Sequence, residues 1–159
     1  MWMIMYIEEE KYRILLDNSI ISTCDIICLT KDKKILLCLR NNEPLKWIYY
    51  IPGWRRYKNE KIMDSAKRKA YEELWLEIDT NRLIFLGVYD DIYENSAFEW
   101  ISTHCEAITF VYQISDEEVK SIKIDKQHSD FKFFDINDSW LYESIYERIH
   151  DIKKLFNFK

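Results

Sequence analysis

The stretch of sequence that decides the fold is PGWRRYKNEKIMDSAKRKAYEELWL, which runs from Pro52 to Leu76. It starts with a Pro-Gly turn, continues as a basic loop and then changes to a helical period. Apolar residues recur every four positions in that last part, at Ile62, Ala66, Ala70 and Leu74. This spacing gives a charged helix one apolar stripe, and we predict the helix over residues 61–78.

Three charged residues of this predicted helix, Arg68, Glu72 and Glu73, indicate metal chemistry. Adjacent helical residues point about 100° apart, so one of the two acids can face back towards the basic loop. Mg²⁺ takes oxygen ligands and usually binds through one or two carboxylates together with substrate phosphates. The stretch therefore suits a metal bound to a diphosphate. On its own, the spacing of Arg68 and Glu72 favours an ordinary i,i+4 ion pair on a solvated face.

On both sides of this stretch, the sequence alternates between strand-like and helical runs. Helical spacing predicts a helix over residues 7–16 and another that starts near Ser139. Runs of β-branched and other apolar residues predict strands at 20–29, 34–39, 47–51, 83–93, 107–114 and 131–134. No repeat or linker interrupts this order, so we expect a single α+β domain over residues 1–159, with helices packed on a central sheet.

Composition and charge exclude several classes of function. The 159 residues hold 23 Lys and Arg against 28 Asp and Glu, a net charge of −5, which argues against a nucleic-acid partner because such binding needs a basic face. The apolar run at the N-terminus is too short to span a bilayer, so we expect no membrane partner and a cytoplasmic protein. The four cysteines lie in apolar runs without CxxC spacing and are expected to be buried thiols.

Residues 54–76 resemble the Nudix box, the signature of the Nudix hydrolases. That pattern reads glycine, five residues, glutamate, seven residues, Arg-Glu, an aliphatic residue, any residue, Glu-Glu, any residue, glycine and an aliphatic residue. Six residues match it in register: Glu60, Arg68, Ala70, Glu72, Glu73 and Leu76. Trp54, Lys69 and Trp75 depart from it, since they replace the first glycine, the first helical glutamate and the last glycine. The resemblance implies the Nudix fold, a mixed central β-sheet sandwiched between helices.

A second group of residues is similar to the GDP-mannose mannosyl hydrolase branch of that family. Gln127 and His128 form a Gln-His pair in a polar loop before the last predicted strand. A loop histidine titrates near neutrality and can act as a general base, although a solvated histidine without a role is the alternative. Further matches to the branch lie at residues 39–42, 50–53, 87–89 and 102–104.

This resemblance implies a Mg²⁺-dependent hydrolase, with Mn²⁺ able to replace Mg²⁺, that acts on nucleoside diphosphate sugars such as GDP-mannose. Water attacks the anomeric carbon of the sugar, and the nucleoside diphosphate leaves. The implied metal ligands are the carbonyl of Gly53, Glu72, Glu73 and Gln127. The implied catalytic residues are His128 as general base and the box arginine Arg68, and the implied substrate-binding residues are Arg40, Arg55 and Asp25. A homodimer also follows from the resemblance alone.

Three departures from this branch keep two alternatives open. Glu43, Asp91 and Cys105 stand where the branch usually has an arginine, a histidine and a tyrosine, which weakens the case for GDP-mannose itself. One alternative is a Nudix pyrophosphatase that cleaves the P–O–P linkage of a nucleoside diphosphate derivative, which the retention of Glu72 beside Glu73 favours. The other is a nucleotide-binding Nudix domain without catalysis, which the departures at Lys69, Asp91 and Cys105 favour.

The chain holds six tryptophans and two glycines, although glycine averages about 7% of residues in proteins. Trp47, Trp54 and Trp75 fall where the resembling sequences carry glycine, the residue that suits a positive φ or a close backbone approach. Either the protein has diverged at these positions, or its gene reads UGA codons as glycine and the tryptophans come from translation with the standard code.

Overall fold

The computed structural model describes residues 7–124 and 128–159, and these form the α+β fold that the sequence predicts. The described ranges contain four α-helices: α1 (Glu9–Asn18), α2 (Ile62–Leu74), α3 (Asp116–Ser121) and α4 (Glu143–Phe156). They contain seven strands: β1 (Ile21–Leu29), β2 (Lys34–Arg40), β3 (Tyr49–Tyr50), β4 (Gly53–Arg55), β5 (Leu83–Tyr93), β6 (Thr103–Gln113) and β7 (His128–Asp135). In these ranges, no helix has the length and apolar character needed to cross a bilayer.

The seven strands form one mixed sheet that divides along β1. Its main path is β3-β2-β1-β6-β5, in which β1 and β6 are parallel and the other neighbours are antiparallel. The strand β2 pairs with β1 at Leu29, next to the hairpin turn, whereas β4 pairs with β1 at Thr23–Asp25. The last strand, β7, pairs along β2. Because β2 and β4 hold different ends of β1, the sheet opens between them.

Helices cover both faces of this sheet, as the resemblance implies. Side chains of β1 alternate between the two faces. Cys24, Ile26 and Cys28 pack in one buried cluster with Ala66, Ala70 and Leu74 of α2, the stripe that the four-residue spacing predicts. Ile27 and Leu29 pack in a second cluster with Ile145, Ile149 and Ile152 of α4. The prediction of a mixed sheet sandwiched between helices is therefore confirmed.

Several element boundaries differ from the prediction for local reasons. The helix α2 ends at Leu74, four residues early, because Trp75 adopts the left-handed conformation with φ 54° and its N–H bonds back to the carbonyl of Tyr71. The strand predicted at 47–51 shortens to Tyr49–Tyr50, and β6 begins at Thr103 rather than at residue 107. The strand β4 and the helix α3 were not predicted, since each is too short to show a period.

Three of the tryptophans occupy backbone positions that favour glycine. Trp47, Trp75 and Trp100 have φ values of 67°, 54° and 66°, whereas neither glycine has a positive φ. For a residue with a Cβ, the left-handed conformation costs about 1–2 kcal/mol. Trp47 and Trp75 are two of the three positions where the resemblance places glycine, but Trp54, the third, does not have a positive φ. Trp100 is a further site of the same kind. These dihedrals favour the hypothesis that UGA encodes glycine in this gene.

Replacing these three tryptophans by glycine should stabilise a recombinant protein that carries them. Relief of the left-handed strain gives about 1–2 kcal/mol per site, and the greater freedom of glycine in the unfolded chain offsets about 0.4–1 kcal/mol of it. We expect the triple variant Trp47→Gly, Trp75→Gly, Trp100→Gly to gain about 2 kcal/mol in the free energy of unfolding. For a domain of this size, that raises the thermal midpoint by about 4–8 °C.

Trp140→Gly is the matched control, because Trp140 is exposed and is not among the residues with positive φ. Circular dichroism melts of the triple variant, the control and the parent check this prediction. A triple variant that melts no higher than the parent would show that tryptophan contacts, such as the ring of Trp75 at 5.7 Å from that of Tyr71, outweigh the strain. Peptide mass spectrometry of protein from its native source then tests the codon hypothesis, which tryptophan at all three positions would end.

Candidate metal and substrate site

Arg68 is the centre of a buried charge cluster on α2. Its side chain is 1% exposed, and its Nε and Nη2 donate to Oε1 and Oε2 of Glu60 at 2.6 and 2.8 Å. Its Nη1 donates to Oε2 of Glu72 at 2.9 Å, and the guanidinium stacks 3.7 Å from the ring centroid of Tyr57. The i,i+4 pair foreseen from the spacing therefore exists, but its arginine is buried and held on three sides rather than solvated.

This cluster ties α2 to the basic loop between β4 and α2. Nη2 of Arg68 lies 3.5 Å from the carbonyl oxygen of Arg55, and Oε2 of Glu60 accepts the backbone N–H of Tyr57 at 2.9 Å. Burial acts to raise the pKa of Glu60, but the hydrogen bonds from Arg68 and Tyr57 outweigh it and hold that pKa below its usual range. Glu60 thus stays ionised, and Arg68 organises the loop.

Glu73 is the carboxylate of α2 that fits a metal ligand. Its side chain is 1% exposed, and neither of its oxygens accepts a hydrogen bond from the described residues. Within the described part of the chain, its ion-pair partner is Lys69, whose Nζ lies 3.1 Å from Oε1. The contact with Lys69 leaves Oε2 of Glu73 without a hydrogen-bond partner in the described residues, and carboxylate oxygens are the donors that Mg²⁺ and Mn²⁺ prefer. The described residues contain no cluster of three or more acidic, histidine or cysteine side chains placed to hold a metal.

A cleft where the sheet opens brings four of the expected site residues together. Asp25, Arg40, Gly53 and Arg55 all line it. The guanidinium of Arg40 is oriented by a 2.7 Å hydrogen bond from Nε to the carbonyl of Pro44. Two arginines at one cleft suit the oxygens of a diphosphate, because guanidinium groups form strong charge-assisted hydrogen bonds with phosphate.

Gly53 allows the backbone of β4 to lie directly against Asp25. The two residues are paired across β1 and β4, and a Cβ atom on residue 53 would lie 2.0 Å from Oδ1 of Asp25. No side chain fits there, so glycine is required at this position. The close approach places a buried carboxyl beside the Gly53 backbone.

Three buried charges lie beneath the cleft. Nη2 of Arg148, on α4, lies 2.7 Å from Oδ2 of Asp91 and 3.8 Å from Oδ2 of Asp25, and the arginine is fully buried. Burial raises the pKa of Asp25 to about 7, with Arg148 opposing the shift and Asp91 adding to it. Sequence reasoning missed Arg148, although it falls on the apolar stripe of α4 between Ile145 and Ile149, where a charge is unexpected.

The raised pKa of Asp25 predicts a pH dependence of stability. Between about pH 4 and pH 7 the folded protein holds a proton on Asp25 that the unfolded chain has lost, so this residue makes the free energy of unfolding fall as pH rises through that window. In Asp25→Asn this contribution is absent, and we expect the variant to gain stability relative to wild type from pH 4 to pH 7. Urea melts across this range check it, with the exposed Asp17→Asn as control. If the difference in the free energy of unfolding between Asp25→Asn and wild type did not change with pH, the raised pKa of Asp25 would be contradicted.

The two remaining site residues lie at the edge of the described structure. Gln127 lies outside the described residues. The backbone of His128 opens β7 and pairs with Arg40, so the chain at His128 meets the strand end that carries an arginine of the cleft. Their roles as ligand and base stay predictions.

The departures from the family pattern have structural partners of their own. Glu43 accepts a hydrogen bond from Nδ2 of Asn95 at 3.0 Å, and Cys105 lines the cleft, where burial raises its pKa to about 12. Cys24, Cys28 and Cys38 are buried, as expected, whereas Cys105 is only partly buried.

Comparison with known proteins agrees with this architecture. Residues 22–156 match the family described as the NUDIX domain. The chain is 28% identical over 130 residues to the low-salt glycan biosynthesis protein Agl8 of Haloferax volcanii. This match covers 81% of this chain and 80% of that protein. The MutT NUDIX hydrolase of Burkholderia pseudomallei has a TM-score of 0.68 at 19% identity, over 85% of this chain and 99% of that one. The NUDIX domain of Shewanella oneidensis NrtR, solved with ADP ribose, has a TM-score of 0.63 at 18% identity, over 94% and 99% of the two chains. With the family match extending over most of its length, and with the fold and box residues described above, the chain belongs to the NUDIX family.

Proposed function

We propose that this NUDIX hydrolase acts on nucleoside diphosphate sugars and breaks the bond between the anomeric carbon and the diphosphate. NUDIX enzymes act on small-molecule nucleotide derivatives and generally use a divalent metal such as Mg²⁺ or Mn²⁺. The observation that carries the proposal is the buried carboxylate of Glu73, without a hydrogen-bond partner among the described residues, on a helix tied through Arg68 to the loop that follows Gly53.

The names of two relatives support the nucleotide-sugar class. The Haloferax relative is named for glycan biosynthesis, and the Shewanella domain binds ADP ribose, a nucleoside diphosphate joined to a sugar. The two cleft arginines, Arg40 and Arg55, supply positive charge for the diphosphate, and Asp25 supplies a polar group for the sugar or base. GDP-mannose as the particular substrate, a homodimer, a cytoplasmic location and a single domain over residues 1–159 are proposed from the sequence alone.

In the proposed reaction, Glu73, Glu72, the Gly53 carbonyl and Gln127 would hold the metal, and Arg68 keeps the loop against α2. The metal would supply positive charge that stabilises the negative charge developing on the leaving diphosphate. His128 accepts a proton from the attacking water as the water oxygen bonds to the anomeric carbon. The bond from that carbon to the diphosphate oxygen breaks, and the nucleoside diphosphate leaves with the electron pair.

Hydrolysis in ¹⁸O-labelled water tests which bond breaks. A small panel of GDP- and UDP-linked sugars is incubated with the protein and Mg²⁺, and the products are analysed by mass spectrometry. We expect free sugar that carries the label and an unlabelled nucleoside diphosphate. Label in a phosphate would contradict attack on carbon.

The second candidate is pyrophosphate cleavage of the same substrate class, which would place the ¹⁸O label in a phosphate. Glu72 favours it, because a second carboxylate beside Glu73 is retained and metal-rich sites suit attack on phosphorus. However, Arg68 and Lys69 each place a nitrogen within 3.1 Å of Oε2 of Glu72. Glu72 is therefore less free than Glu73 to bind a metal. Binding of the sugars without any metal-dependent turnover would favour the non-catalytic alternative.

A further inference from the structure

Lys69 is buried in the charge cluster at a position where the Nudix box has a glutamate. Its side chain is 6% exposed, and its Nζ lies 3.1 Å from Oε2 of Glu72 and 3.1 Å from Oε1 of Glu73. Lysine is almost never fully buried unless it is paired. The ammonium therefore bridges the two acids that the proposed function assigns to the metal.

The charges of the cluster nearly cancel with Lys69 in place. Three carboxylates, Glu60, Glu72 and Glu73, face two cations, Arg68 and Lys69, which leaves a net charge of −3 + 2 = −1. Arg68 is bound to Glu60 and Glu72, so the cation in contact with Glu73 is Lys69. Without Lys69, the buried carboxylate of Glu73 would lose the cation that contacts it in the described residues, which is strongly unfavourable.

We propose that Lys69 is a built-in counter-ion of the metal site, which keeps the metal-free fold stable and holds the affinity of the free protein for a divalent cation low. This inference depends on the proposed function for the identity of the metal ligands. A divalent cation that binds Glu73 must displace the ammonium from Oε1 or share the acid with it. The diphosphate of the substrate supplies further oxygen ligands, so the cation is held firmly when it arrives together with the nucleotide.

Titration of the metal-free protein with Mn²⁺ alone tests this inference. Free Mn²⁺ is followed by electron paramagnetic resonance for the wild type, for Lys69→Met and for Lys67→Met. Lys67→Met is the matched control, because Lys67 is an exposed residue of the same helix and its substitution removes the same charge. We expect Lys69→Met to bind Mn²⁺ about 10- to 100-fold more tightly than wild type, the range over which groups around metal ligands change affinity. Lys67→Met should bind as wild type does.

Thermal melts give a second readout on the same proteins. Without metal, Lys69→Met should melt below wild type, and Mn²⁺ should raise its midpoint by more than it raises that of wild type. If Lys69→Met does not fold without metal, recovery of the fold on addition of Mn²⁺ supports the inference, and failure to recover overturns it. An affinity for Mn²⁺ equal to or weaker than that of wild type also overturns it. Failure of the proposed function is a separate result, because it would appear as absence of labelled sugar while the Mn²⁺ titration is unaffected.

Discussion

The Glu73→Gln variant is expected to hydrolyse nucleotide sugars about 10³-fold more slowly than wild type. Loss of the carboxylate removes the main proposed metal ligand, and a metal contributes several kcal/mol of charge stabilisation in the transition state, of which about 4 kcal/mol corresponds to this factor. The fold should survive, since glutamine has the same shape, Lys69 keeps its contact with Glu72, and a buried negative charge is removed. Steady-state kinetics with Mg²⁺ measure the first effect, and metal-free thermal melts measure the second.

Two comparisons separate a metal ligand from a structural acid. Glu77→Gln, at an exposed position just after α2, is the matched control and should keep both turnover and stability. In Glu73→Gln, Mn²⁺ should no longer raise the melting midpoint, whereas it should still do so in the control. A Glu73→Gln protein that loses turnover but is stabilised by Mn²⁺ as strongly as wild type would contradict the ligand role.

The second large effect is expected at His128. If this residue takes the proton from the attacking water, His128→Gln should lower turnover by a factor on the order of 10² to 10⁴, the usual contribution of a positioned general base. The backbone at His128 pairs with that of Arg40, which brings this point of the chain to the cleft. The loss should fall on turnover rather than on the affinity for the nucleoside diphosphate, because the binding arginines are unchanged.

Turnover and binding of the nucleoside diphosphate are measured in parallel for His128→Gln and for His150→Gln. His150 is exposed on α4 and serves as the control for loss of an imidazole. In wild type, protonation of the base should lower turnover at acidic pH. This acidic fall in the pH–rate profile should be absent from the residual turnover of His128→Gln. Unchanged turnover in His128→Gln would rule out its role as base, and would leave either another base or a protein without catalysis.

The features that could be predicted from the sequence are those with a repeating period or a fixed spacing. The four-residue period of Ala66, Ala70 and Leu74 predicted both α2 and the face it buries. The spacing of Arg68 and Glu72 predicted an i,i+4 ion pair, and the structure joins Arg68 both to Glu72 and to Glu60, another residue of the box. Such local patterns suffice because the partners lie within a few turns of one another.

Other features could not be predicted because their partners are distant in sequence or depend on backbone geometry. Arg148 meets Asp91 from 57 residues away, and no local pattern reports such a contact. The contacts of Lys69 with Glu72 and Glu73 could not be predicted for a different reason. A departure from a motif shows which residue is missing, but it does not show which neighbours the replacing side chain contacts. The early end of α2 depends on a left-handed tryptophan, which ordinary propensities do not allow for.

The position of Arg148 also has a consequence for synthesis of the protein. The two acids beneath the cleft lie on β1 and β5, which leave the ribosome before α4, the helix that carries their arginine. A nascent chain that already has its sheet but lacks α4 would bury two carboxylates without a counter-charge, at a cost on the order of 3–5 kcal/mol. Folding during translation should therefore pause with this end of the sheet still exposed to solvent. The two carboxylates should become buried only after α4 has emerged.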